Sequence, residues 1–141
     1  VPLVLPNEGL PDWLLWMVKD TAGGLPDLVF TLFTNDIEPD QATTFADLDR
    51  ATFGGFQEQI MSRADWISPT IDDDKAVSQW GTVPTEFTVT SDPQEVFGWA
   101  AYNPGPLRLM IVERFDVPRD LAVGNTLKVL PRFTLTTAPD V

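Results

Sequence analysis

The chain has no cysteine and no histidine among its 141 residues. Without thiols there is no disulfide, no cysteine-ligated zinc and no cysteine nucleophile, and the redox compartment stays open. Without imidazole, the Ser-His-Asp and Cys-His arrangements and histidine-metal chemistry are excluded, because the commonest general base and metal ligand are both missing. Any catalysis would rest on carboxylates, lysines or Tyr102, the single tyrosine. Basic residues are scarce too: nine Lys and Arg face 21 Asp and Glu, for a formal net charge of -12. That balance cannot supply the cationic clusters that grip a phosphate backbone, and anionic headgroups repel it, so neither nucleic acid nor a membrane is an expected partner. No apolar run reaches the roughly 20 residues of a bilayer span, and no basic leader precedes the first structured segment. A soluble chain is expected, with Val1 exposed by removal of an initiator methionine or by trimming.

What is present suits a single globular domain spanning residues 1–141. With 43% hydrophobic against 21% charged residues, the chain holds enough apolar surface to offset the entropy of ordering. Thirteen prolines and nine glycines spread along it imply many turns. The greasiest stretch is "PDWLLWMVKDTAGG", in which Trp13 to Val18 are all apolar. Leu10, Trp13, Leu14, Met17 and Val18 follow helical spacing, while Leu15 and Trp16 extend the apolar surface around the axis. Pro11 suits a first turn, Asp12 faces the positive end of the dipole, Lys19 the negative end, and Gly23 and Gly24 can supply a left-handed stop. A helix of this kind is too short to cross a membrane and too apolar all round to lie half in water. Burying Trp13, Leu14 and Met17 on the strands would leave Leu15 and Trp16 for a second surface, either the "VPLVLP" arm or a neighbouring subunit.

The rest reads as strands. "DLVFTLFTND" is rich in β-branched and aromatic residues and closes at Asn35 and Asp36, which can bond their own backbone in a turn. "FADLDRAT" alternates Phe45, Asp47 and Asp49 against Ala46 and Leu48, which suggests a strand before Gly54 and Gly55. "TEFTVTS" sets Phe87 and Val89 on one face; "EVFGWAAYN" sets Phe97, Trp99 and Ala101 on one face; "LRLMIVERF" sets Leu107, Leu109 and Ile111 opposite Arg108, Met110 and Val112. Pro104 and Gly105 of "NPGP" read as a type II turn closing a hairpin. "GNTLKVLPRFTLTT" gives two more strands, broken at Pro131. About seven or eight short antiparallel strands with frequent turns and one small N-terminal helix, within about the first 24 residues, indicate an all-β sandwich or jelly roll.

Four groups invite a chemical reading. Asp72, Asp73 and Asp74 invite a calcium reading, but the spacing is not that of an EF-hand and a solvated surface loop whose acids repel one another is the plainer account. Asp47 and Asp49 would share a face if their segment is a strand, which permits a glycosidase-like carboxylate pair. Nothing nearby promises the raised pKa that one of the two would need. Trp66, Trp80 and Trp99 could stack on sugar rings, as in a carbohydrate-binding module, or pack in the core. Glu113 and Arg114 end a hydrophobic strand, where they serve either as rim charges or as partners across a subunit interface.

Taken in order, "PNEGLPDWLL", "LFTND" with its "xPxxxTT" loop, the acidic-aromatic "FADLD", the Gly-aromatic "GGF" and the late "ERF" resemble a family of small structural proteins of tailed-bacteriophage virions. The resemblance covers nearly the whole chain. Phe56 stands where that family would place a tyrosine, and the segment at Asp72 to Asp74 has no counterpart. The resemblance implies a non-enzymatic, all-β virion component present in many copies, foremost a capsid decoration or cement protein on the outer shell. Tail or head-tail placement is the alternative within the family. The implied partners are the major capsid protein and further copies of this chain, as a dimer or trimer, with no cofactor and no metal site. Trp13, Leu15, Trp16, Glu113 and Arg114 are the expected contact residues.

Overall fold

The computed structural model describes residues 3–18, 27–72 and 75–136, the side chains of residues 16–18, 72 and 136 excepted. Among these residues one α-helix, α1 (Leu10–Val18), precedes nine strands: β1 (Leu28–Phe33), β2 (Gln59–Met61), β3 (Thr70–Asp72), β4 (Lys75–Gln79), β5 (Thr85–Thr88), β6 (Glu95–Asn103), β7 (Arg108–Asp120), β8 (Thr126–Val129) and β9 (Arg132–Thr136). All pairings are antiparallel, in a four-stranded sheet β2-β1-β6-β7, a three-stranded sheet β3-β4-β9 and a two-stranded sheet β5-β8. The fold is an all-β sandwich. The expected stop at Gly23 and Gly24, with Lys19, lies outside the described residues.

The four-stranded sheet is covered on both sides, which is why β1, β6 and β7 read as nearly continuous apolar runs rather than clean alternation. On its first face Phe30, Ala101 and Ile111 stand in one row and Leu32, Trp99 and Glu113 in the next. Phe30 is fully buried and is the hub: its ring lies 5.9 Å from Trp99, 6.1 Å from Phe87 and 6.1 Å from Trp80. Phe87, Leu127 and Val129 from β5 and β8 close this core, with Trp80 and Phe133 packed against it from the three-stranded sheet and its margin. The outward side of β5-β8 is polar, as period two demands: Glu86 pairs with Lys128 at 3.3 Å and the Thr88 and Thr126 hydroxyls lie 2.9 Å apart. On the second face Phe33, Leu48, Phe97, Ala100, Leu109 and Val112 form a smaller core under Val4, Ile37 and Phe45.

Two irregularities of the β6-β7 ladder overturn the expected face assignments. Ala101 pairs with Ile111 but Tyr102 with Leu109, so Met110 is the extra residue of a bulge. An added residue inverts the phase of everything beyond it, and Leu109 and Ile111 fall on opposite faces. A second shift, between Val96 and Gly98, sends Phe97 to the second face, away from Trp99 and Ala101. Gly98 is needed there: a Cβ would come within 2.2 Å of the Glu113 carbonyl and 2.5 Å of the Phe33 ring.

The β6-β7 hairpin exists, but its turn is not type II. Asn103 pairs with Arg108, leaving a four-residue loop, and the left-handed residue is Leu107 with φ 55°, not Gly105. Gly105 precedes Pro106, whose ring disfavours the ψ near zero that the second central position of a type II turn requires. The expected strand over "FADLDRAT" is likewise absent. Phe45–Asp47 form a 3-10 turn, and only Arg50 bridges to β1, at Phe33. Side chains of the segment capture its backbone groups first. The Asp47 carboxylate accepts from Thr44 N–H at 2.8 Å, while Asn35 donates to Asp47 O at 2.8 Å and accepts from Asp49 N–H at 2.9 Å. Asn35 therefore clamps the neighbouring loop instead of closing a turn on its own backbone. With no strand, Asp47 and Asp49 are not aligned as a catalytic pair.

Candidate functional site: the outward face of the N-terminal helix

Residues 3 to 6 run along the outer edge of β7. Val4 N–H donates to Val112 O at 2.8 Å and Val112 N–H donates to Val4 O at 3.0 Å, so the arm extends the sheet by one short bridge. The chain then turns through Asn7–Gly9 into α1. Two acids fix this entry. Glu8 turns inward, its carboxylate accepting from Phe45 N–H at 2.8 Å and from Leu109 N–H, and so ties arm, loop and β7 together. Asp12 is buried, bonded to Arg108 at 2.8 Å and to Asn103 Nδ2 at 3.4 Å. At this position the expected helix-dipole role is joined by a direct ion pair to the β6-β7 hairpin.

With Asp12 and Trp13 inward, the opposite side of the helix faces out. Trp13 packs on the main core, its ring 5.7 Å from Phe133 and its Nε1–H donating to Met110 O at 3.2 Å. Leu10, Leu14 and Leu15 are 43%, 59% and 42% exposed. Leu14 was expected in the core with Trp13, and it is not: anchoring the helix through Asp12 and Trp13, 100° apart on the wheel, rotates Leu14 to solvent. Leu15 lies at the surface as expected. The side chain of Trp16 lies outside the described residues. Beside the helix an open groove is lined by Leu3, Val4, Leu5, Asn7 and Leu10, with Asp40, Gln41 and Ala42 on its far wall.

Glu113 and Arg114, expected as rim charges or as partners across a subunit interface, point to opposite faces of β7. Glu113 lies on the first face, half-buried, where it accepts from Trp99 Nε1–H at 3.1 Å. Burial raises its pKa above the ordinary carboxylate value, Asp116 adds to the rise, and the bond from Trp99 opposes it. Arg114 lies on the second face, its guanidinium 5.2 Å from the Phe97 ring centre. It pairs with Asp36 at 2.6 Å and Glu38 at 3.5 Å and donates to Ile37 O at 2.8 Å. Its charge is therefore spent on pinning the loop that follows β1.

Several of the motifs read from the sequence meet at this end of the sheet. "PNEG" holds "FAD" and β7 through Glu8; "ERF" holds "FTND" through Arg114; Asn35 of "FTND" clamps "FADLD"; and Asp40 caps the loop, accepting from Ala42 N–H at 2.9 Å and Thr43 Oγ1 at 3.2 Å. "GGF" acts further along: Gly54 donates to Ser91 O, and at Gly55, with φ 93°, a Cβ would lie 1.9 Å from Thr88 O. Comparison with family models, with curated proteins and with solved structures finds no match.

The remaining chemical readings fare unevenly. Trp99 is 1% exposed, and Trp66 and Trp80, bridged to each other, pack against the main core, so the three do not form an exposed platform for a sugar. Trp80 Nε1 is buried with no partner among the described residues. Tyr102 is buried and donates to Glu58 at 2.9 Å, Glu58 in turn pairing with Arg50 at 3.2 Å; burial first, and then the bond to Glu58, raise the phenol pKa and hold it protonated. The calcium reading of Asp72, Asp73 and Asp74 falls on side chains outside the described residues. Among the described residues no three His, Cys, Asp or Glu are grouped to hold a metal ion, and no helix is long and apolar enough to cross a membrane.

Proposed function

We propose that the chain is a non-enzymatic structural component of a tailed-phage virion, foremost a capsid decoration or cement protein that sits on the outer shell and bridges capsid subunits. One observation carries the reading. In a chain of net charge -12, the helix that meets solvent does so with leucines, while Glu8 and Asp12 at its start turn inward and bond within the chain. A surface built this way binds by apolar burial, at about 25 cal/mol per Å² removed from water, rather than by charge. The resemblance in segment order supports the virion setting, and the acidic balance favours the outside of a shell over contact with packaged DNA. Many weak contacts on a symmetric shell act together once the subunits are held at high effective concentration.

The test is to add purified protein to undecorated capsids of the phage that encodes it. Saturable binding at a fixed ratio to capsid subunits, with raised resistance of the shell to heat, is expected. Binding to tails or connectors and not to shells would transfer the protein to the tail or head-tail class. Binding to neither would overturn the virion reading.

A further inference from the structure

We propose that the connection from β5 to β6 holds a self-cleavage site, at which the Asp92 carboxyl group severs the Asp92–Pro93 peptide bond in mildly acidic water. This is the one Asp–Pro step in the sequence. The first ground is backbone strain. Asp92 stands at φ 50°, in the left-handed region, whereas a following proline pushes its predecessor towards extended backbone. The second ground is that one segment holds this conformation from both sides. Gly54 N–H donates to Ser91 O at 2.9 Å, Thr52 N–H donates to Gln94 Oε1 at 2.8 Å, and Gln94 Nε2–H donates to Thr52 Oγ1 at 3.1 Å. Between Thr52 and Gly54, the buried Phe53 anchors that segment in the main core, so both flanks of Asp92 are tied to a fixed point. The third ground is the nucleophile: Asp92 is exposed, and its carboxylate has no hydrogen-bond or ion-pair partner among the described residues.

The chemistry balances with water alone. A carboxylate oxygen of Asp92 bonds to the residue's own carbonyl carbon and the C–N bond breaks. Its electron pair leaves with the Pro93 nitrogen, which takes a proton from the medium. The prolyl nitrogen, more basic than that of a secondary amide, accepts this proton the more readily. The cyclic anhydride left on Asp92 adds water, which returns the proton and yields a second carboxyl group, so the net change is hydrolysis of one peptide bond. Breaking that bond lets Asp92 leave the left-handed region, and strain of the size usual for such residues speeds the step by about tenfold or more over an unstrained chain. The nicked product stays in one piece, because every sheet takes strands from both sides of the cut: β1 pairs with β6, β4 with β9 and β5 with β8.

The test is to hold the full chain at about pH 5, close to the ordinary carboxylate range yet above the sequence pI of 4.1, and to follow denaturing gels and intact mass while circular dichroism monitors the fold. Two fragments, residues 1–92 and 93–141, are expected, which elute together under native conditions as a body of about the 15.7 kDa chain mass. They should accumulate about tenfold faster than in the same chain unfolded by urea at the same pH. Asp92→Ala removes the nucleophile and should abolish the cut, and Pro93→Ala removes the better leaving group and should slow it in folded and unfolded chains alike. Gln94→Ala frees one flank, so it should slow the folded chain towards the urea rate and leave the urea rate unchanged. No cut after Asp92 in the folded chain, a cut no faster than in urea, or a Gln94→Ala chain cut at the wild-type rate would each overturn the proposal.

Discussion

The two faces of the four-stranded sheet are held by different physics. The first is an aromatic core in which Phe30, Trp99, Phe87 and Trp80 stack, closed by two further sheets and stabilised by area removed from water. The second is a thin apolar layer under an arm and a loop, and directional contacts hold it: Glu8 to two backbone amides, and Arg114 to Asp36, Glu38 and Ile37 O. Stacked rings tolerate small shifts, whereas ion pairs and amide bonds fix position and orientation. α1 sits on the first side, where Trp13 packs on the aromatic core and the Asp12–Arg108 pair adds a directional contact of its own.

Substitutions can break this contrast at graded cost. The largest effect is expected from Phe30→Ala, which empties the hub of the stacked cluster and should remove about 3–5 kcal/mol of stability, read as a lower midpoint in urea. Arg114→Ala should cost less, about 1–3 kcal/mol, because it strands Ile37 O and frees the loop after β1 while leaving the aromatic core intact. Its signature is local: proteolysis within residues 34–50 should accelerate more than global unfolding does. A proteolysis pattern unchanged from wild type would show that the apolar layer alone holds the second face.

Glu113→Gln tests an acid sunk into the aromatic side. Its folded pKa is raised by burial, so the folded state binds the proton more tightly than the unfolded state. Its contribution to stability therefore falls as pH rises from the ordinary carboxylate pKa through the raised one. Glutamine still accepts from Trp99 Nε1 and removes the buried charge, so the variant should match wild type at acid pH and be slightly more stable at neutral pH, as two denaturant titrations would show. The smallest effect belongs to Leu14→Ser. At 59% exposure it should change the stability of the dilute chain by within about 0.5 kcal/mol, checked by urea denaturation at low micromolar concentration. A larger loss would mean that the leucine face is held inside the fold of one chain.

Much of the fold was legible residue by residue. α1 was marked by the spacing of Leu10, Trp13 and Leu14, β1 by its β-branched and aromatic run, and the outward polarity of β5 by the alternation around Phe87 and Val89. The break at Pro131 falls where the chain leaves the β5-β8 sheet for the β3-β4-β9 sheet. The misreadings cluster where a non-local contact outweighs a local preference. Alternation could not foresee the bulge at Met110, because a bulge is a property of two strands. The composition of "FADLDRAT" allowed a strand, but Asn35, distant in sequence, claimed its backbone groups.

The sequence by itself determined what the chain could not use, thiols, imidazole and excess positive charge, together with its all-β class and its one apolar helix. Those are matters of composition and of periods two and 3.6, which act within a few residues. Which side of that helix meets solvent was decided only by tertiary structure. Asp12 found Arg108 and Trp13 found Met110 and Phe133, all about 100 or more residues away along the chain, and those contacts fixed the rotation of the helix. Hydropathy gives Leu14 and Trp13 the same preference for burial, and only the partners waiting on the folded sheet could choose between them.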